Sequence, residues 1–214
     1  MKDPFTLKNE ARDEAYAYFD NEIRPLPKDS NSKIDPFAPG LDDNDVDAFR
    51  HAYVSGVFTQ EYGKTAADIF GRLNEMNPIG HSQPGDSASK NMDLWNNAVG
   101  RKYGLKAKDR KSLLKCIRKA MKDGELILTP DDKRMYNGAT NDPVYKSKPV
   151  IVLQEGEKGR NEIFFDLDKK AMLTANEFIS LIEAGKYPGY SIKIISGVAT
   201  PVSKPDSRGT NNLG

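Results

Sequence analysis

Residues 46–62 read VDAFRHAYVSGVFTQEY, and the reading of this run decides the fold. Val46, Phe49, Tyr53 and Val57 recur at three- and four-residue steps, which is the spacing of one face of an α-helix. Asp42-Asp43-Asn44-Asp45 precede the run as an acidic cap, and Gly63 stops it. The neighbouring runs keep the same period. Lys8 to Ile23 places Ala11, Ala15, Tyr16, Phe19 and Ile23 on one stripe, and a turn-rich connection, Pro25 to Gly40, follows. Thr65 to Met76 turns Ala66, Ile69, Phe70 and Leu73 inward and ends before Pro78. After the loop NPIGHSQPGDSAS, a helix from Ser89 to Tyr103 is expected to bury Met92, Trp95 and Val99 and to stop at Gly104. Asp109 to Lys122 forms the next, with Leu113, Leu114, Ile117 and Met121 inside.

Beyond Gly124 the period changes. ELIL (125–128), Val150 to Leu153 and Ile163 to Leu167 read as strands, the last two as a hairpin across EGEKGRN. LTANEFISLIEAG reads as a helix capped by Thr174 and ended by Gly185, and SIKIIS as a last strand. The fold class expected is α+β, with a mainly helical N-terminal core of about five helices and a small C-terminal portion of hairpin, helix and strand. The expected division is 1–43, an acidic N-terminal helix and Pro-rich connection; 44–124, a helical catalytic core; 125–199, the α+β portion; and 200–214, a mobile tail without periodicity.

The chain has 214 residues with 32 Lys+Arg against 31 Asp+Glu, and 37% of it is hydrophobic. Collagen-like, disulfide-scaffold and fully disordered classes are excluded, and a net charge of +1 removes any whole-molecule attraction to nucleic acid or membrane. Cys116, the only cysteine, has no partner for an intramolecular disulfide. The first residues, MKDPFTLKNEARDEAYAYF, lack the apolar core of a secretory signal, and no run of 18 apolar residues marks a transmembrane segment. The expectation is synthesis in the cytoplasm without a signal peptide, with any export left to a specialised secretion system. GxxxxGK[ST], GxGxxG after a strand, GxSxG, HExxH and CxxC are all missing, which disfavours nucleotide-dependent enzymes, dinucleotide oxidoreductases, elbow-type serine hydrolases and thiolate zinc sites.

Polar side chains that a solvent-facing helix does not require gather in Asp47 to Ser55 (DAFRHAYVS), Asn74-Glu75, and Asn91 to Arg101 (NMDLWNNAVGR). Asp47 and His51 stand one turn apart beside the apolar stripe, while Asp93, Asn97 and Arg101 share a face at four-residue intervals. Two chemistries are open to such a set. His51 with Asp93 or Glu75 can ligate a divalent ion, the one cofactor considered, which lowers the pKa of bound water toward about 7. Without a metal, His51 acts as general base oriented by a carboxylate, and Arg101 or Arg50 stabilises an anionic transition state. The plain alternative is a side-chain network that ties helices together, and Glu75, in the last turn of an exposed helix, needs no function. His81, in the loop, is expected to face solvent.

FRHAYVSG at 49–56, a helix ending in Asn74-Glu75, and MDLWNNAVGRKYG at 92–104 resemble a bacterial domain of unknown function, marked by an Arg-His-Ala-aromatic helix followed by an Asp-x-x-Asn-Asn-x-x-Gly-Arg helix. Such domains occur in phage-related and toxin-like proteins, including cargo of contact-dependent secretion systems. The resemblance spans Phe49 to Gly104. It implies that the site comprises His51, Glu75 and Asp93 as catalytic or metal-holding groups, with Arg50, Asn96, Asn97 and Arg101 binding and orienting an anionic substrate. It supplies no reaction.

Between Arg101 and Lys122 there are ten basic residues and one acidic residue, Asp109. Lys108, Lys111, Lys115, Lys119 and Lys122 fall near one face, which is either a solvated surface balanced by the acidic N-terminal segment or a surface for phosphate groups. No aromatics interleave with these lysines, so nucleic acid is the lesser partner. The first function expected is an antibacterial effector or toxin-type hydrolase acting on a cell-envelope substrate: phospholipid, lipid-linked precursor or peptidoglycan. A metal-dependent nuclease toxin comes second, and a non-catalytic phage- or secretion-associated binding protein third. The partners expected are an immunity protein or secretion carrier and an anionic envelope component.

Overall fold

Asp3 accepts hydrogen bonds from the backbone N–H groups of Phe5 (3.0 Å) and Thr6 (3.1 Å), and Pro4 occupies the first turn, where its missing N–H costs nothing. The first helix, α1 (Pro4–Glu22), therefore begins before the expected Lys8. The computed structural model describes residues 1–76, 87–138, 148–156, 159–205 and 213, apart from the side chains of Glu75 and Met76. Its order is α1, α2 (Asp45–Met76), α3 (Ser87–Gly104), α4 (Arg110–Lys122), β1 (Val150–Glu155), β2 (Asn161–Asp166), β3 (Ala171–Thr174), α5 (Ala175–Glu183), β4 (Tyr190–Ile195) and β5 (Val198–Ser203). The fold is thus α+β, in two compact units, Met1–Asp142 and Pro143–Gly214. Among the described residues no helix is long and apolar enough to cross a membrane.

In the first unit, Leu7, Ala11, Ala15 and Phe19 of α1 are buried at four-residue steps, and Phe19 meets Phe49 of α2 edge to face with ring centroids 5.6 Å apart. Gly63, at φ 82°, breaks α2 into two segments at the expected stop. The third helix touches both. Ala52 lies against Gly100 and Gly56 against Gly104, so α3 runs parallel to the first segment. Asp68 pairs with Arg101 and Gly71 faces Asn97, so it runs antiparallel to the second.

The face that α3 buries differs from the expected one. Trp95 and Val99 are only half-buried, whereas Ser89, Asn96, Asn97, Gly100, Arg101 and Gly104 join Met92 and Leu94 inside. Glycines at 100 and 104 let the backbones approach so closely that the small and polar face, and not the most apolar one, is drawn into the contact. On α4, Leu113, Ile117 and Ala120 are buried, while Leu114 and Met121 are half-buried.

The expected strand at 125–128 is absent. Leu126 and Ile127 are buried, but their backbone is satisfied by side chains. Asn96 donates from Nδ2 to the Ile127 carbonyl (2.8 Å) and accepts the Ile127 N–H at Oδ1 (3.0 Å), as a neighbouring strand would. Trp95 Nε1 donates to the Glu125 carbonyl (2.8 Å), and Arg134 Nη2 to that of Leu126 (2.7 Å). This segment consequently belongs to the helical unit, and the division falls after Asp142 and not at Gly124. Residues 1–43 are part of the same unit.

In the second unit, β1, β2 and β3 form an antiparallel sheet in that order, with the expected hairpin between β1 and β2. Thr174 caps α5 in a reciprocal arrangement with Glu177, as its position predicts. Phe164, Phe178, Tyr187 and Tyr190 make the centre of the core. Residues 200–203, expected in the tail, belong to β5, which pairs with β4 across Ser196 and Gly197, both at positive φ. Pro201 hides this strand from its sequence pattern, yet a two-stranded ribbon leaves one edge on which its missing N–H is harmless.

A Cβ at residue 100 would stand 2.0 Å from the Ala52 carbonyl oxygen, a backbone atom that cannot rotate away. Gly100→Ala is expected to cost about 3 kcal/mol or more in urea denaturation. Gly71→Ala, whose new Cβ would meet only side-chain atoms, the nearest at 3.3 Å, should stay within about 1 kcal/mol of the natural protein.

Candidate functional site

The first turn of α2 places a carboxylate inward. Asn44 accepts the Val46 N–H at 3.0 Å, and Asp47 Oδ2 accepts the Asp43 N–H at 2.9 Å. Asp47 Oδ1 accepts from Arg50 Nε at 3.2 Å and from Arg50 Nη2. One turn on, His51 directs Nε2 to within 3.6 Å of Asp47 Oδ1 and 3.3 Å of Asp93 Oδ1 from α3. Arg50 Nη2 lies 2.8 Å from the same nitrogen. A guanidinium only donates, so in this contact the neutral ring accepts from Arg50 at Nε2, with the two carboxylate oxygens beside it.

Burial opposes ionisation of Asp47, but the Arg50 guanidinium, joined by the His51 ring when that is protonated, outweighs it and holds the carboxyl below the usual range. Burial also works against the charge on Arg50, and Asp47, Tyr16 and Asp93 overcome it, leaving the guanidinium more firmly protonated than usual. Burial raises the Tyr16 phenol. Arg50 thus stands as a fixed cation beside the carboxylates of this cluster. Asp47 and His51 are buried, whereas Asp93 keeps 14% of its side-chain surface, so the cluster meets solvent beside Asp93.

The other expected residues are placed differently. Asn96 is fully buried and spends both ends of its amide on Ile127; it holds a loop where an anion-binding role was expected. Arg101 Nη2 pairs with Asp68 Oδ1 at 2.9 Å, two helical turns and about 12 Å along the axis from Asp93. It forms a second cluster with Asp68, which also meets Arg72 Nε at 3.1 Å. Asn97 stands between the two clusters, buried beside Gly71, and its Nδ2 has no hydrogen-bond partner among the described residues. The Glu75 side chain and His81 lie outside the described residues. Asp68 went unnoticed in the sequence, although Asp68 and Arg72 at a four-residue step were its available signal.

The basic surface of α4 is partly used within the fold. Arg110 Nη1 lies 2.6 Å from Glu14 Oε1 and Arg118 Nη1 2.9 Å from Glu22 Oε2, so both arginines turn to the acidic α1. Lys108, Lys111, Lys115, Lys119 and Lys122 remain exposed, with Lys119 beside Asp123.

Residues 28–125 match the model of a family described as a domain of unknown function, DUF6973. This span contains Asp47, Arg50, His51 and Asp93, and the description assigns no activity. No curated protein and no solved structure matches the chain.

The residues that hold the fold can be recognised by stability. Asn96→Ala, which strips the buried Ile127 backbone of its partners, is expected to cost about 3 kcal/mol, and Arg101→Met about 2 kcal/mol, in chemical denaturation. His51→Gln should cost less than either.

Proposed function

We propose that this chain is a toxin- or effector-type hydrolase that acts on a bacterial cell-envelope substrate, with His51 as its base, Asp47 and Asp93 as its carboxylates, and Arg50 as the cation beside them. The observation that carries the reading is the position of His51 Nε2, 3.3 Å from Asp93 and 3.6 Å from Asp47, next to a solvent-facing edge. Charges withdrawn from water in this way are costly to fold, and such groups concentrate where a reaction uses them. In the reaction, a water molecule entering beside Asp93 gives its proton to His51 as its oxygen attacks an ester, phosphoester or amide, and the imidazolium passes that proton to the departing alcohol or amine as the bond to it breaks. The carboxylates stabilise the resulting imidazolium, and Arg50 stabilises the oxygen on which negative charge develops.

Two further features favour the envelope over nucleic acid. The arginines of α4 are turned to Glu14 and Glu22, so this helix offers a polyanion its lysines without the bidentate groups that grip phosphates. The likeness of the Arg50-to-Arg101 pattern to toxin-like domains favours delivery out of the producing cell, together with an immunity partner that protects it.

Bacterial viability is the test, with the protein induced in the cytosol or exported behind an added periplasmic signal, beside His51→Gln and Asp93→Asn forms shown by thermal melts to be folded. Killing on export alone, reduced about 100-fold or more in both variants, is the expected result. Killing from the cytosol would replace the envelope substrate with nucleic acid. Absence of killing in both compartments would leave a binding protein with a structural polar network.

A further inference from the structure

Asp47, His51 and Asp93 each present one ligand atom, and these atoms all lie within 4.8 Å of one another. Metal–ligand bonds of about 2.0–2.2 Å at tetrahedral angles place neighbouring ligand atoms about 3.3–3.6 Å apart. His51 Nε2 is 3.3 Å from Asp93 Oδ1 and 3.6 Å from Asp47 Oδ1, so both separations are already those of a loaded site. The neutral ring that accepts from Arg50 carries its lone pair on Nε2, which is the form a metal binds, whereas an ordinary contact with a carboxylate would place an N–H there.

The group that now meets these atoms is itself a cation. Arg50 Nη2 is 2.8 Å from Nε2 and is also hydrogen-bonded to Asp47 Oδ1, so it stands against two of the three ligand atoms at once. A divalent ion held by these atoms would take the place of the guanidinium and release Arg50 toward the solvent-facing edge at Asp93.

We propose that Asp47, His51 and Asp93 bind a divalent transition-metal ion, with zinc the best match to one imidazole and two carboxylates, and that Arg50 is a built-in competitor that holds the ligands in the metal-free protein and yields on loading. Once displaced, Arg50 lies beside the ion as a group for an anionic substrate oxygen. The inference rests on the hydrolase reading only for the use made of the ion, which would supply an activated water.

Calorimetric titration of zinc alone into the full chain tests it, with circular dichroism on each variant to establish folding. One ion per chain is expected, with affinity reduced at least about tenfold in Asp93→Asn and in Asp47→Asn. Arg50→Gln, which removes the competitor, should bind zinc about tenfold more tightly than the natural protein, and its melting temperature should rise more on zinc addition. A His81→Ala, Cys116→Ser double variant should bind as the natural protein does. Absence of saturable binding in both the natural protein and Arg50→Gln would overturn the site, as would loss of binding in the double variant. Weaker binding by Arg50→Gln would overturn the competitor role. His51-dependent killing by a chain that binds no zinc would remove the metal and leave the hydrolase; zinc binding by a chain that never kills would do the reverse.

Discussion

Gly100 lies so close to α2 that a Cβ on it would be 2.0 Å from the Ala52 carbonyl oxygen, and Gly104 repeats the approach one turn later at 2.5 Å from that of Gly56. Backbones this close leave room for little besides small side chains between them, so the residues flanking the glycines are pressed together across the crossing. Asp93 is thereby brought onto His51, and Asn97 and Arg101 onto the second segment of α2 at Gly71 and Asp68. The break at Gly63 completes the constraint, because it lets one continuous stretch of chain present two faces to a single helix.

The polar groups along α3 have separate tasks, although they share one helix. At one end the Asp47, Arg50, His51 and Asp93 set combines two acids, one permanent cation and a titratable ring, with access to water at Asp93. At the other, Asp68 meets both Arg101 and Arg72. Asn96, on the adjoining face, does neither; it completes the backbone hydrogen bonding of a loop that has no neighbouring strand. An ion-pair cluster that ties α3 to the second segment of α2 and a satisfied amide explain themselves by folding. Two carboxylates gathered on one imidazole nitrogen are less easily explained as support.

The helices were legible in the sequence because their signals are local. The stripe Val46, Phe49, Tyr53 and Val57, the stops at Gly63, Gly104 and Gly124, and the caps Asp109 and Thr174 each depend on residues within a turn or two. The ELIL run shows where local reading fails. Its apolar content matches a buried strand, but among the described residues no partner strand lies beside it, and Asn96, distant in sequence, does the bonding instead. In β5 the failure has the opposite sign. Pro201 suppresses the strand pattern, and only the pairing with β4 through the Ser196-Gly197 turn makes the segment regular.

The pairing of Asp47 with His51 one turn away, and the row Asp93, Asn97 and Arg101, were likewise visible as spacings, since a helix converts sequence separation into a shared face. Which members of those rows meet was decided by the tertiary structure alone. The approach at Gly100 sets the level at which α3 lies along α2, and that level gives Asp93 to His51, Arg101 to Asp68 and Asn96 to Ile127. Periodicity specifies the face of a helix; the height at which two faces meet depends on how closely the backbones approach, and that is a property of the packed chain.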